Sequence, residues 1–353
     1  MKALVTANLD DWALNYLREE LELTVEYHPI AERDRRFSPD ELAELLAGID
    51  VFVVGYEGVS AELLDRVDLD VIACTRGGPD ANVDIEAATE RGIPVLYTPG
   101  RNDTSVADFT MGLILGVVRH IPHMHHLLHE GVYTGVPVAD TAAGGEREDI
   151  VWGVAKGSPY AELKGVELSG RTIGIVGFGA IGRKVAQRAQ GFEMDVVAHD
   201  PYVDEATMDD YGIDRVDIET LCRESSVVTV HTVVTEETRG LIGAEEFSMM
   251  KDSAYFINTA RAAIADQEAL LETLERGGLR GTALDVYDME PIPEDHPLFD
   301  LNNVVTTPHI AAATTDVIER HSRMIVSDLE RLLDGDQPDY IANESVLEPY
   351  LDA

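Results

Sequence analysis

The sequence predicts an α/β protein made of two doubly wound parallel-sheet units. Three observations carry that expectation: short apolar runs alternate with polar-faced helical stretches, they do so in two separate series, and the second series opens on a glycine-rich turn. The first series has strand-like runs at Ala3–Thr6, Leu23–Tyr27, Val51–Val54, Val71–Cys74 and Pro94–Tyr97. Helical patterns lie between them, for example at Pro39–Leu46 and Ala61–Val67. A long helix is expected near Ser105, where Ser-Val-Ala-Asp offers a capping box, and it carries the chain into the second unit. From Tyr133 to Tyr160 a Gly/Pro/Ala-rich segment lacks periodicity and reads as a lid, an oligomer arm or a disordered stretch. The second series runs through Thr172–Val176, Asp195–Ala198, Val227–His231, Ala254–Asn258, Thr282–Val286 and Asn303–Thr306. A last helical stretch, Thr315–Leu333, is placed to return to the first unit. The expected domains are therefore a discontinuous one, 1–104 plus 315–353, and an inserted one, 105–314.

The turn after Thr172–Val176 gives the first chemical reading. Gly177, Gly179 and Gly182 fit G-x-G-x-x-G, with a strand before, a helix after and Asp200 ending the next strand. Gly177 permits the tight turn, Gly179 lets backbone approach a pyrophosphate, and Gly182 lets the helix pack close to the strand. The helix opening near Ala180 points free N–H groups and a positive dipole end at phosphates. Asp200 can accept hydrogen bonds from a ribose and would repel a 2′-phosphate, which favours NAD over NADP. The second unit is thus expected to be a Rossmann domain that binds NAD.

Composition narrows the partners. The chain has 353 residues, with 66 acidic against 27 basic side chains and a formal net charge of −39. That charge argues against nucleic-acid or anionic-membrane partners. The acids are spread along the whole chain and lysine is scarce, a surface like that of proteins from organisms with molar internal salt. In such salt the Debye length is about 3 Å and self-repulsion is screened. Cys74 and Cys222 lie in apolar runs and are expected to be buried free thiols of a reducing cytoplasm. The start, Met1 to Asp10, reads as a first strand and not as a signal peptide. The longest apolar stretch, Phe109 to Val118, is too short to span a bilayer.

Three polar residues follow strands of the second series, where open α/β sheets bind ligands: Arg261, Glu290 and His309. Beside a nicotinamide, this set suits hydride transfer to a 2-oxo acid. Arg261 offers a two-pronged fork for a carboxylate. His309 gives a proton to the developing alkoxide or takes it from the alcohol in reverse. Glu290 favours the protonated imidazole and orients it. A second cluster, His120, His123, His125, His126 and His129, contains an i, i+4 pair at His125 and His129. It reads as a histidine-rich helix face or subunit contact, and no metal site is expected there.

At this point the chain resembles the D-isomer-specific 2-hydroxyacid dehydrogenases along nearly all of its length. The resemblance is carried by Asn82-Val83-Asp84-Ile85-Glu86-Ala87-Ala88, Arg91-Gly92-Ile93-Pro94-Val95, Thr98-Pro99-Gly100-Arg101-Asn102, Val106-Ala107-Asp108 and Glu167 to Gly174. It continues through the glycine motif, Asn258-Thr259-Ala260-Arg261, Ala283-Leu284-Asp285-Val286, Glu290-Pro291 and Pro308-His309-Ile310. It implies a flavodoxin-like substrate domain, a catalytic set at Arg261, Glu290 and His309, and a carboxylate-binding loop at Gly77 and Gly78 with Arg76 beside it. It also implies cofactor contacts from Ala180 and Ile181 at the phosphates, and from Thr232, Thr259, Ala260, Asp285 and Val106 around the nicotinamide half. A homodimer with the substrate in a cleft between the two units is implied as well.

Some residues depart from the family pattern. The substrate loop, Arg76 to Asn82, is one residue longer than usual and contains Pro79, which has no N–H to donate. Val233 replaces a common proline, Ala262 a glycine, and Ala311-Ala312 glycine-containing pairs. The chain is expected to lack the small-molecule-binding regulatory domain of many phosphoglycerate dehydrogenases. The expected reaction interconverts a small D-2-hydroxy acid and its 2-oxo acid. Oxidation of 3-phosphoglycerate is the alternative within that chemistry, with Arg76 and Arg101 adding positive charge or else standing as ordinary surface arginines. A dinucleotide-sensing, corepressor-like binding protein is the alternative of another class.

Overall fold

The computed structural model describes residues 1–134 and 156–351. Most of the segment expected to form a long loop, residues 135–155, therefore lies outside the described residues. The chain forms two compact units, one of Met1–Asn102 with Ala313–Ala353 and one of Asp103–Ala312.

The first unit holds β1 (Lys2–Val5), β2 (Thr24–Tyr27), β3 (Val51–Val54), β4 (Val71–Cys74) and β5 (Val95–Leu96). All pair in parallel, in the order β2-β1-β3-β4-β5. Alternate residues face opposite layers. Val5, Val51, Val53 and Ala73 pack with Leu14 and Leu17 of helix Asp11–Glu19 and with Ile325 and Leu329 of helix Thr315–Leu333. Leu4, Phe52, Val54 and Ile72 pack on the other face with Leu42, Leu63 and Ala88. Both faces being covered, β3 and β4 are buried at every residue, which explains their uninterrupted apolar runs. Truncating a side chain such as Leu329, with no exposed surface, would cost about 2–5 kcal/mol. The free edge of β5 is closed by the C-terminal segment. Asn343 accepts from the Val95 N–H at 2.9 Å and donates to the Ile93 carbonyl at 2.9 Å.

The second unit holds β6 (Thr172–Val176), β7 (Asp195–His199), β8 (Asp214–Arg215), β9 (Val227–Val230), β10 (Tyr255–Asn258), β11 (Gly281–Leu284) and β12 (Val304–Thr306). Their order is β12-β11-β10-β9-β6-β7-β8, again all parallel. The winding reverses between β6 and β9, which puts the switch point of the sheet beside the glycine turn. Strand β8 was not expected; both of its residues are exposed and carry no apolar signal.

Several boundaries move. Helix Ala61–Leu64 is shorter than its pattern, and β11 stops at Leu284 where Asp285 begins a turn. The long helix spans Asp103–Val118, so Ser105 is a buried residue of its first turn and not an N-cap. The Asp103 carboxylate instead accepts from the Thr104 N–H at 2.6 Å. That helix buries Ala107, Met111, Ile114 and Val117 with Val185, Ala186 and Ala189 of helix Ala180–Gly191 and with Ile173 and Ile175 of β6.

Candidate active site

The three motif glycines meet three different demands. Gly177 has φ +93°, and a Cβ there would stand 2.7 Å from the Thr232 nitrogen and 2.8 Å from the His231 carbonyl. A Cβ on Gly182 would stand 2.2 Å from the Gly177 oxygen, so that the helix can lie this close only without a side chain. Gly179 opens onto empty space, where a ligand could approach the backbone. It is the N-cap of the twelve-residue helix Ala180–Gly191; Ala180 is exposed there and Ile181 packs partly against the core. Asp200 does more than face solvent. Its carboxylate accepts from the Phe178 N–H at 2.8 Å and the Tyr202 N–H at 2.9 Å, which pins the glycine turn to the end of β7. At the end of β9, His231 Nε2 meets Thr229 Oγ1 at 2.9 Å, while Nδ1 is buried without a partner among the described residues. Burial pushes His231 down to about 3, so the ring is neutral. An open glycine at a helix N-terminus, an acid at the next strand end and an orphaned ring nitrogen fit a dinucleotide.

The ends of β10, β11 and β12 hold the proposed acid–base set. His309 Nδ1 lies 2.8 Å from Glu290 Oε2, with both side chains partly exposed. Burial by itself would raise the Glu290 carboxyl. The hydrogen bonds from His309 and the Tyr287 N–H, with the charges of His309 and Arg261, outweigh it and hold Glu290 below the ordinary carboxylate value. His309 itself has φ +53°, uncommon for a residue with a side chain. Its loop is held by Asp285, which is fully buried. The Asp285 carboxylate accepts from Thr307 Oγ1 at 2.6 Å and from the N–H groups of Ile310 and Ala311 at 3.0 and 2.8 Å. Tyr287 adds a second tie: its hydroxyl lies 2.9 Å from the carbonyls of both Leu284 and Thr307, and its N–H donates to Glu290 at 3.1 Å. Burial pushes the Tyr287 hydroxyl up to about 12, so it keeps its proton.

Arg261 is exposed, and its guanidinium donates to the Ala260 carbonyl at 2.6 Å. Asn258 braces this turn by accepting from the Ala260 N–H and donating to the Arg261 carbonyl, each at 3.0 Å. Thr259 is buried and bonded to Thr110 Oγ1 at 2.9 Å; Val106 is also buried, one turn earlier on the same helix. Thr110, Tyr287 and the grip of Asp285 on the His309 loop were missed by sequence reasoning, because each depends on a partner distant in the chain; the bracing by Asn258 is local and was missed although the residue lies in the same short motif as Arg261.

In the first unit, Gly77 and Gly78 are exposed just past β4, and among the described residues nothing accepts from their N–H groups. A Cβ on Gly77 would lie 3.3 Å from the Thr98 oxygen. Pro79 is buried and opens a single turn, Pro79–Ala81, so its missing donor falls after the two glycines. Arg76 stacks near Tyr56, 5.4 Å from the ring centroid. Arg101 is not an ordinary surface arginine: burial dominates its surroundings and lowers its pKa, and its NH1 meets His321 Nδ1 at 3.0 Å.

Four of the five clustered histidines lie on helix Ile121–His129, none of whose residues is buried, and His120 is its N-cap. His125 and His129 stack with centroids 4.3 Å apart. His120, His123 and His126 line a cavity of about 240 Å³ with Asn302 and Asn303. Among the described residues, no group of three or more His, Cys, Asp or Glu side chains is placed to hold a metal ion. Among the same residues, no helix is long and apolar enough to cross a membrane.

The family model described as "D-isomer specific 2-hydroxyacid dehydrogenase, NAD binding domain" matches residues 111–311. A D-3-phosphoglycerate dehydrogenase of Methanocaldococcus jannaschii is 33% identical over 97% of this chain, which spans 59% of that enzyme's length. A glyoxylate reductase of Thermofilum pendens is 35% identical over 98% of this chain and 95% of its own. Among solved structures, the TT0316 protein of Thermus thermophilus superposes with a TM-score of 0.80 at 36% identity, covering 97% of this chain and 100% of that one.

Proposed function

The chain belongs to the D-isomer-specific 2-hydroxyacid dehydrogenase family, and from that premise we propose that it is an NAD-dependent oxidoreductase interconverting a small D-2-hydroxy acid and its 2-oxo acid. The observation that carries the reading is the 2.8 Å contact between His309 and Glu290, on a loop that Asp285 holds in a left-handed conformation. A dinucleotide whose pyrophosphate lay at the glycine turn would supply or accept the hydride through its nicotinamide. Arg261 holds the substrate carboxylate through its fork. His309 Nε2 delivers the proton to the carbonyl oxygen as it gains charge, while Nδ1 stays on Glu290. Glu290, ionised below the usual carboxylate range, stabilises the charged ring and fixes its orientation.

The remaining assignments have separate supports. The first unit is the substrate domain, its loop at Arg76, Gly77 and Gly78 offering unbonded N–H groups. Ala180, Ile181, Asp200, Thr232, Thr259, Ala260, Asp285 and Val106 line the cofactor side, Asp285 through the loop that it anchors. A homodimer is supported by helix Ile121–His129, none of whose residues is fully buried and which exposes Ile121 and Leu128. The buried free thiols of Cys74 and Cys222 support a reducing cytoplasm, and the charge of −39 supports a salt-rich one without nucleic-acid or membrane partners. NADH consumption against a panel of 2-oxo acids in molar KCl tests the proposal. Turnover of at least one is expected; NADH binding without turnover of any would instead support a dinucleotide sensor.

A further inference from the structure

Two loops of the second unit are tied together beside the glycine turn. Strand β6, which ends in that turn, lies between β7 and β9 in the sheet, so the loops after β7 and β9 flank the turn on either side. Tyr202 comes from the first of these loops and Glu237 from the second, and the Tyr202 hydroxyl donates to Glu237 Oε2 at 2.5 Å. Each end of this bridge is fixed by its own loop. Tyr202 donates its N–H to Asp200 Oδ1 at 2.9 Å, and Arg215 reaches the Pro201 carbonyl at 3.5 Å. In the other loop the Thr235 N–H donates to Thr238 Oγ1 at 2.7 Å, and Thr238 Oγ1 donates to the Val233 carbonyl at 2.6 Å. The Gly240 N–H closes that loop on the Ala263 carbonyl at 2.8 Å.

Packing does not account for the bridge. The Tyr202 ring is 81% exposed and Glu237 is exposed as well, and a solvated bond of this kind adds little stability. What the bridge does is hold a carboxylate in place. The Tyr202 hydroxyl is raised above its ordinary pKa, first by the hydrogen bond to Glu237, then by the Glu237 charge, with slight desolvation and the Asp200 charge adding to it. It therefore keeps its proton and stays the donor. One tyrosine is thus bracketed by two acids, Asp200 at its N–H and Glu237 at its hydroxyl. Asp200 already engages one oxygen with the Phe178 N–H and the other with the Tyr202 N–H, whereas Glu237 Oε1 has no partner among the described residues. A carboxylate has about four acceptor positions, so both acids can still receive a ligand hydroxyl, and Glu237 has the more room. In a doubly wound sheet the acid ending the strand after the glycine turn marks the ribose, which puts the bridge at the adenosine end of the crevice.

We propose that Glu237 is a second cofactor-selecting residue, held by Tyr202 at the adenosine ribose, where its carboxylate accepts from a ribose hydroxyl and repels a 2′-phosphate. The inference rests on the NAD-dependent reading above and adds to it a carboxylate that the glycine motif does not contain. Tyr202 is a positioning residue that acts through Glu237. Salt makes the placement matter. In molar salt a charge is felt over only about 3 Å, so the many acids elsewhere on the surface do not help to reject NADP, and only a carboxylate beside the ribose does.

The test measures NADH and NADPH binding by fluorescence titration in molar KCl, without substrate, for wild type, Glu237→Gln, Tyr202→Phe and the double variant. Both side chains are exposed, so the variants should keep the fold. Glu237→Gln should lower the ratio of the NADPH to the NADH dissociation constant by about 3- to 10-fold, through weaker NADH and stronger NADPH binding. Tyr202→Phe keeps the ring and frees the carboxylate, so it should lower the ratio by about 2- to 3-fold. The double variant should fall no further than Glu237→Gln alone, because the tyrosine acts only through the acid. An unchanged ratio in Glu237→Gln, or two effects that simply add, would overturn the proposal and leave the dehydrogenase reading intact. Wild type that binds NADPH as tightly as NADH would overturn it too, and would turn attention to Arg215 as a 2′-phosphate contact. Binding of neither cofactor would overturn both readings together.

Discussion

The carboxyl ends of the two sheets in this chain are built differently: carboxylates grip loops past the second sheet, and arginines gather past the first. Past the second sheet stand Asp200, Asp285 and Glu290, and each carboxylate holds a loop: Asp200 the glycine turn, Asp285 the His309 loop, Glu290 the imidazole itself. Past the first sheet stand Arg76 and Arg101 without an acidic partner among the described residues, next to the unbonded N–H groups of Gly77 and Gly78. The strands of both are much the same apolar parallel scaffold. What differs is the first few residues after each strand. Acids there brace the His309 loop and the glycine turn, whereas past the first sheet stand arginines and exposed glycines.

Breaking the acid-braced side should give the largest effects. His309→Ala is expected to lower turnover by about 10²–10⁴ while leaving NADH affinity nearly unchanged, as stopped-flow turnover and fluorescence titration would measure. Wild-type rates in that variant would remove His309 from the mechanism. Arg261→Lys keeps the charge and loses the fork, so kcat/KM should fall by about 10- to 100-fold, with KM up and kcat down together. A fall in NADH affinity alone would make Arg261 a cofactor residue.

Asp200 sharpens the comparison on the cofactor side. Wild type should prefer NADH over NADPH by at least about tenfold, roughly 1.4 kcal/mol, even in molar KCl. Asp200→Ala should erode the ratio mainly by weakening NADH binding, the more so because the Phe178 and Tyr202 N–H groups lose their acceptor. Equal use of NADPH by the unmodified protein would sink this reading. The arginine side should show an effect on stability and not on turnover. His321 has a folded pKa pushed from 6.5 to about 4, so the unfolded chain binds a proton that the folded one refuses. Its contribution is therefore complete above about pH 6.5 and declines as pH falls toward 4, by about 1–3 kcal/mol in all. Urea midpoints across that window should slope less steeply in His321→Gln; identical slopes would place the proton uptake elsewhere.

What could be read from the sequence was what is local. Fully buried strands make unbroken apolar runs, and the glycine motif is local because Gly177 and Gly182 must clear backbone that lies against the turn. Arg261, Glu290 and His309 stood out because each follows such a run. The helper residues did not. Asp285 and Tyr287 find their partners only once β11 and β12 lie side by side, and Thr110 only once its helix packs near Thr259. Ser105 was misread because the strongly apolar pattern starts at Val106, although the helix already starts at Asp103. The half-burial of Arg101 is invisible in Gly-Arg-Asn, since its partner His321 lies 220 residues away.

The grip of Asp285 also bears on how the protein should fail. A left-handed residue with a side chain is disfavoured by about 1–2 kcal/mol, so the His309 loop behaves as a sprung latch with one buried acid as its catch. If the catch slips, the loop can relax while both sheets stay intact. Warming or mild denaturant should then silence the protein before it melts, leaving a folded, dinucleotide-competent but idle population.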